Sequence, residues 1–255
     1  MNGAAQRIGR IAALNRYPVK SMAGVSLEEA QLGWHGLAGD RRFAFRRVTD
    51  RSGFPWLTAS KFPRLILYRP FGSDGASPEP LPTHVRTPDG RELELGSDEL
   101  RAEIAEQSRF DVELMKLKQG IFDDAPVSLI TAATAQGVCV GAGVESDARR
   151  FRPNIVIETD ASQPFGEDGW VGGTIQFGDE GPAVSVTMRD TRCMMINLDP
   201  DSARQDASVL KTVVGMNATN AGVYGTVVRS GRLHVGQEVR LVPAIGVRPL
   251  PAIDT

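Results

Sequence analysis

Two cysteines occur in the 255 residues, and their surroundings differ. Cys193 lies in VTMRDTRCMMINLDPDS (Val186 to Ser202), with Arg189 and Arg192 close by in sequence. A guanidinium near a thiol favours the thiolate, the form that ligates metals and attacks sulfur. Packing is the competing reading, because free cysteine is among the most buried residue types. Cys139 fits packing better, since GVCVGAG is an apolar run without a nearby charge. A reactive Cys193 needs positioned partners, and basic residues beside glycines or turns offer them. These are Lys20-Ser21 after Tyr17-Pro18, Arg41-Arg42 after GLAGD, and Arg152 in RFRPN. A Lys or Arg fixed at a strand–loop junction can pair with phosphate. Singly each reads as a solvated surface charge; three of them with a thiolate describe a pocket for an anionic cofactor. A helix starting near Thr131 would add backbone N–H groups and a hydroxyl to the same anion. Asp199 and Asp201 flank Pro200 and read first as turn formers. Asp199, so close after Cys193, is also a candidate for the mouth of the site.

Other chemistries find no support. His35, His84 and His234 are far apart and have no zinc-like spacing to one another or to the cysteines. His84 and His234 read as strand surface residues. No nucleophile elbow, Walker A loop or dinucleotide-binding fingerprint is present. Two cysteines cannot build a disulfide framework or supply the four thiolates of an ordinary iron–sulfur cluster. A net charge of −2 without a polybasic block does not point to nucleic acid. The first residues, MNGAAQRIGRIAALNRYPVK, scatter arginines through any apolar stretch and match neither a signal peptide nor a membrane span. A reduced, cytoplasmic location away from membranes is the expectation.

The elements that must hold these residues are mostly short strands. Glycine (27) and proline (16) are both high, which favours turns over long helices. IGRIAALNRYPVKS reads as a strand closing on a Tyr-Pro turn, and residues 25–50 as paired strands broken by glycines. LILYRP reads as a short strand, Gly72 to Thr83 as a surface loop, and HVRTPDGRELEL as a hairpin turning at Asp89-Gly90. SDELRAEIAEQ predicts a helix capped by Ser97, followed by the strand DVELMKLKQG. PVSLITAATAQGV predicts a strand feeding a helix capped by Thr131. A short helix at DARRF then breaks at Arg-Pro before the strand Ile155 to Glu158. TIQFG, AVSVTMRD and EVRLV read as strands, ASVLKTVV as a helix, and VYGTVVRSGRLHVGQEVRLV as a terminal β-meander. The expected class is mainly β with short helices (α+β), built as a barrel-like core, with domains at 1–118 and 119–255.

These segments, in this order, resemble the MOSC superfamily, named for the C-terminal domain of molybdenum cofactor sulfurases. YPVKS, GVSLEEAQL and HGLAGDRRF are similar to the family's N-terminal β-barrel domain, and RRFRPNIVIE and RCMMINLDPDSA to the MOSC domain itself. The resemblance runs from about Ile8 to Val242, and is nearest to the amidoxime-reducing subgroup found in mitochondria and its bacterial relatives. It implies molybdenum–molybdopterin, the molybdenum cofactor, held between two domains with Cys193 as the metal ligand. Lys20, Ser21 and Arg41 would bind the pterin and its phosphate, with Arg42 an alternative to Arg41. Thr131, Arg152, Asn154 and Arg192 would face the cofactor from the second domain.

The implied function is an oxidoreductase that reduces N-hydroxylated small molecules, with Asp199 delivering protons or positioning substrate. The chain ends at PLPAIDT without the cysteines of a ferredoxin domain, and its N-terminus shows no membrane anchor. Electrons are therefore expected from a separate donor protein, a ferredoxin-like protein, flavoprotein or cytochrome. Trp34-His35 and the loop at 72–83 are candidates for its docking surface. No pyridoxal-phosphate sulfurase domain is present, so cysteine desulfuration is not expected. Two other readings stay open: a sulfur carrier working through a Cys193 persulfide, and a non-catalytic module that binds and delivers the cofactor.

Overall fold

The computed structural model describes residues 5–73, 75, 77, 79–120 and 123–244. Its strands in the first half are β1 (Gln6–Arg16), β2 (Val25–Leu27), β3 (Glu29–Gly33), β4 (Gly36–Leu37), β5 (Phe43–Arg47), β6 (Arg69–Phe71), β7 (His84–Arg86), β8 (Glu92–Glu94) and β9 (Val112–Lys116), with helix α1 (Asp98–Ser108) between β8 and β9. The second half contributes β10 (Val127–Thr131), α2 (Ala132–Ala142), β11 (Ile155–Thr159), β12 (Thr174–Phe177), β13 (Ala183–Thr191), α3 (Ser208–Asn217), β14 (Asn220–Arg229), β15 (Gly231–His234) and β16 (Glu238–Val242).

Seven strands close a barrel in the order β1, β11, β10, β14, β13, β12, β16, with β16 returning to β1. Its interior is filled by alternate residues of each strand, among them Ile11, Leu129, Ile157, Ile175, Val186 and Val223. Strand β10 is buried along its whole length. Val127 and Leu129 face the barrel interior, while Ile130 on the opposite side packs beneath α2 and α3. Covered on both faces, β10 pairs in parallel with β11 through the α2 crossover, which is why its sequence reads as a continuous apolar run.

Strand β1 comes from the first half of the sequence yet sits between β11 and β16. The fit is tight: a Cβ on Gly9 would lie 2.0 Å from the carbonyl oxygen of Glu158. Strand β15 crosses the other way and pairs with β3. Strand pairing thus spans the boundary expected near residue 118 in two places. It also replaces the expected terminal meander, because β14 joins β13 and β10 while β16 joins β12 and β1.

The rest of the first half surrounds its own core of Phe45, Leu57, Leu65, Tyr68, Leu100 and Ile104, among others. Pairs β5–β9 and β6–β7–β8 form its walls, and α1 covers them, capped by the Ser97 side chain accepting from Leu100 N–H. The β7–β8 hairpin turns with Gly90 at φ +89°, where glycine carries no steric cost. The strand expected at LILYRP is a 3-10 turn over Pro63–Leu67, followed by β6. Pro63 opens that turn, where its missing N–H is not needed. No helix among the described residues is long and apolar enough to cross a membrane.

A fragment of residues 119–255 lacks β1, leaving β11 and β16 as open barrel edges. Urea melts followed by tryptophan fluorescence should show no cooperative transition for this fragment and one for the full chain. A sharp transition in the fragment would show that the barrel closes without β1.

Candidate functional site

The first strand also builds the site. Leaving the barrel at Arg16, the chain runs through Tyr17 to Ser21 alongside the start of β5, where Val19 bridges Phe43 in parallel. Tyr17 N–H donates to Asp40 Oδ1 at 2.6 Å, Arg41 N–H to the Tyr17 carbonyl at 2.7 Å, and Lys20 N–H to the Phe43 carbonyl at 2.8 Å. Ser21 (φ +65°) and Arg41 (φ +48°) adopt left-handed backbone conformations that non-glycine residues rarely occupy. From the second half, Arg152 does the same at φ +51°, at the end of a 3-10 turn over Ala148–Phe151.

These segments enclose a cleft of about 330 Å3 lined by Lys20, Ser21, Arg41, Arg152, Arg192 and Cys193. Arg150, Asp123, Asp124, Asp190, Phe54, Phe151 and Tyr224 complete the charged and aromatic part of its wall. Six sequence candidates from both halves therefore meet in one place. Cys193 is exposed, whereas Cys139 is buried in α2, where burial pushes its thiol upward.

Each basic group is held differently. Lys20, 5% exposed, donates to Asp123 at 2.7 Å and lies over the Phe54 ring. Burial lowers the Lys20 ammonium even though Asp123 opposes the shift. Burial alone would raise Asp123, but Lys20, then Arg41 and Arg152, hold it below the usual range. Arg41 is paired with Asp40 and reaches across to Asn154 Oδ1 and the Arg152 carbonyl, both at 3.3 Å. Burial pulls its guanidinium down, yet Asp40, Tyr224 and Tyr17 carry it upward overall. Arg42 turns away, toward the Leu117 carbonyl and Glu79. Between the two, Arg41 is the cleft residue.

Arg152 stacks on the Tyr17 ring at 4.3 Å and has no ion pair among the described residues. Burial, with Arg41 nearby, brings it down to about 10. Arg192 is a clamp: Nε donates to the Ala221 carbonyl at 2.6 Å and Nη1 to the Phe151 carbonyl at 2.8 Å. Its Nη2 lies 2.8 Å from Asp190 but out of line for a hydrogen bond. Gly222 makes room there, since a Cβ would lie 3.0 Å from that nitrogen.

Three candidates lie outside the cleft wall. Thr131 caps α2, and its hydroxyl meets Thr134 and buried Glu167 at 2.9 Å each. Asn154 joins the halves by donating to the Asn15 carbonyl and accepting from Ser128 N–H and Arg41. Asp199 Oδ1 accepts from Ser202 Oγ at 2.7 Å, and its Oδ2 takes Arg150 at 2.7 Å. These bonds to Ser202, with Arg150, hold Asp199 below the usual carboxylate range, which suits a turn better than proton delivery. Besides Asp123 and Asp124, the cleft wall holds Asp190, which no local pattern had singled out. Burial pushes it up to about 6 against the pull of Arg192 and Ser128.

Among the described residues, no group of three or more His, Cys, Asp or Glu side chains is disposed to hold a metal ion. The cleft offers one thiol donor, Cys193, with basic side chains around it. The donor-rich wall and the exposed thiol fit an anionic carrier.

The comparisons now bear on this geometry. Residues 8–130 match the model of the MOSC N-terminal beta barrel domain, and residues 116–240 that of the MOSC domain. The chain is a MOSC-domain protein. MOSC domains are named for the C-terminal domain of molybdenum cofactor sulfurases, and family members are often enzymes associated with that cofactor. No curated protein matches the chain. Among solved structures it is similar to the YUAD protein from Bacillus subtilis, at 13% identity and a TM-score of 0.48, over 93% of this chain and 97% of that one. A second, titled only as a hypothetical protein, is 10% identical with a TM-score of 0.42, over 95% and 70%.

Burial disfavours ionised Asp190, so its protonated form contributes stability that is present below about 3.8 and lost as pH rises through about 6. Asp190→Asn keeps the neutral shape. The stability of wild type relative to Asp190→Asn should fall by on the order of 2 kcal/mol between about pH 4 and 7, read from denaturant midpoints. A flat difference across that window would mean that Asp190 does not titrate there.

Proposed function

We propose that this MOSC protein is a molybdenum-cofactor-dependent oxidoreductase that reduces N-hydroxylated small molecules with electrons from a separate donor protein. The observation that carries this reading is the meeting of exposed Cys193 with basic side chains from both halves in one cleft. Cys193 would supply a soft thiolate to the metal, the donor type that such a metal prefers. Lys20, Ser21, Arg41 and Arg152 would hold the anionic pterin and its phosphate. Arg192 and Asn154 would keep the walls in place through the backbone carbonyls and amides they engage. Thr131 would act only at a distance, through the start of α2.

When bound, the cofactor supplies the two-electron redox chemistry; the protein supplies binding, orientation and charge. Breaking the N–O bond of an N-hydroxyl group consumes two electrons and two protons and releases one water. Asp190 is the cleft carboxyl that keeps a proton closest to neutral pH, so it replaces Asp199 as the proton-holding candidate. Phe54, 45% exposed and beside Lys20, gives the cleft an apolar edge for the substrate's organic part. Trp34, 64% exposed in the turn between β3 and β4, remains the candidate contact for a ferredoxin-like, flavin or cytochrome donor. The exposure of Cys193 also favours a second reading, a sulfur carrier loaded as a persulfide.

The test is molybdenum content in protein from a host that makes the cofactor, wild type beside Cys193→Ala. Near-stoichiometric metal in wild type and a clear loss in the variant is the expected result, followed by turnover with a competent donor. Metal in neither, with a persulfide on Cys193 by mass spectrometry, would favour the carrier. Bound cofactor without turnover would make the protein a delivery module, and equal metal in both would remove Cys193 as ligand.

A further inference from the structure

A second, smaller cavity lies behind the cleft, and Arg150, Arg152 and Met195 line both. At about 60 Å3 it has room for a few waters or one small polyatomic ion. Tyr17 lines this cavity and not the cleft. Only 2% of Tyr17 is exposed, and its hydroxyl oxygen is buried without a hydrogen-bond partner among the described residues. Arg150 repeats the pattern. Its side chain is 5% exposed and Nη2 is held by Asp199 at 2.7 Å, but Nε and Nη1 are buried and unpartnered.

Three orphaned polar atoms thus sit on two residues that line this cavity, and all can donate. An arginine has no acceptor to offer. Burial pushes the Tyr17 phenol up to about 12 against Arg152 and Arg41, so its proton stays in place at neutral pH. Buried donors without acceptors are costly and uncommon in native proteins. The charge on the wall is unbalanced in the same direction, with four arginines against the single carboxylate Asp201. Arg69 and Arg149 are both matched by Asp201, at 3.2 Å and 2.5 Å. Arg152, stacked on the Tyr17 ring, has no carboxylate within ion-pair distance among the described residues. The ring is itself seated deliberately: a Cβ on Gly24 would lie 2.5 Å from it.

We propose that this cavity binds one small tetrahedral oxyanion of the sulfate or phosphate kind, held by the Tyr17 hydroxyl and the open donors of Arg150, with Arg152 supplying charge. An oxyanion offers acceptors on every side and forms charge-assisted bonds to guanidinium, which water cannot match. The inference stands on the cavity alone and does not require a metal in the cleft. The ion is either free in solution or the phosphate end of a larger molecule seated in the cleft, since two arginines separate the two spaces.

Calorimetric titration of the full-length protein with sulfate, beside crystals soaked in selenate for anomalous location, tests it. The expected result is one saturable site, selenate density against Tyr17, and binding about tenfold weaker in Tyr17→Phe. Ala23→Leu, which fills the cavity from its wall, should abolish binding and serves if Tyr17→Phe folds poorly. Sulfate binding unchanged in cofactor-loaded protein would identify a free ion; binding lost on loading would identify the phosphate of the cleft ligand. Density confined to the large cleft, equal affinity in both variants, or no saturable binding would overturn the proposal.

Discussion

The register of β1 is the constraint on which the site depends. The strand is hydrogen-bonded to β11 on one side and to β16 on the other, and it closes the barrel. Its continuation from Tyr17 to Ser21 is hydrogen-bonded to the start of β5 in the other core. One covalent segment is thereby fixed in both halves, and the two walls of the cleft cannot move apart without breaking sheet. A slip of one residue would move Lys20 and Ser21 by about 3.3 Å and turn Ile11 out of the barrel. The apolar cost of that slip protects a geometry made of polar groups.

Backbone strain is spent in the same place. Of the non-glycine residues with positive φ, Ser21, Arg41 and Arg152 all line the cleft. Each such conformation costs about 1–2 kcal/mol and persists only where its surroundings over-determine it. Here the surroundings are visible. Arg41 N–H bonds the Tyr17 carbonyl, and its guanidinium bridges Asp40, Asn154 and the Arg152 carbonyl. Arg152 N–H closes the 3-10 turn on the Arg149 carbonyl at 3.1 Å. An extended backbone at Arg41 or Arg152 would send the side chain away from the shared space. The strain buys direction for two of the charges.

Much of this was legible because charged residues at turns mark strand ends, and strand ends make the rim of a barrel. Lys20, Ser21, Arg41, Arg152, Arg192 and Cys193 share a cleft for that reason. Thr131 shows the limit of local reading. Its cap position was clear, but its hydroxyl is taken by Glu167, a partner 36 residues away. Asp190 and Tyr224 were hidden differently. They sit on β13 and β14, whose pairing shifts between Val186 and Met188 and again between Arg189 and Thr191. Such bulges re-aim side chains, and alternation in the sequence does not mark them. Arg150 lies in the same RRFRPN stretch as Arg152 but was not singled out, because only the fold shows that it is buried.

The acids around the cleft decide which cations have attraction to spare. Lys20 faces Asp123, Arg41 faces Asp40, and Arg192 faces Asp190, so each of these charges is partly spent inside the protein. Arg152 is different: it stacks on Tyr17, and burial with repulsion from Arg41 lowers it to about 10 although Tyr17 opposes the shift. An anion beside it would relieve both the burial penalty and the repulsion, so binding there gains more than at a cation already matched. Poorly hydrated guanidinium also loses less on leaving water than an ammonium does. The cleft therefore has a centre of attraction, at the Arg152 end where the two cavities adjoin. A ligand carrying its charge on one group and its reactive atom some distance away would place the charge at Arg152 and the reactive atom toward the exposed thiol of Cys193.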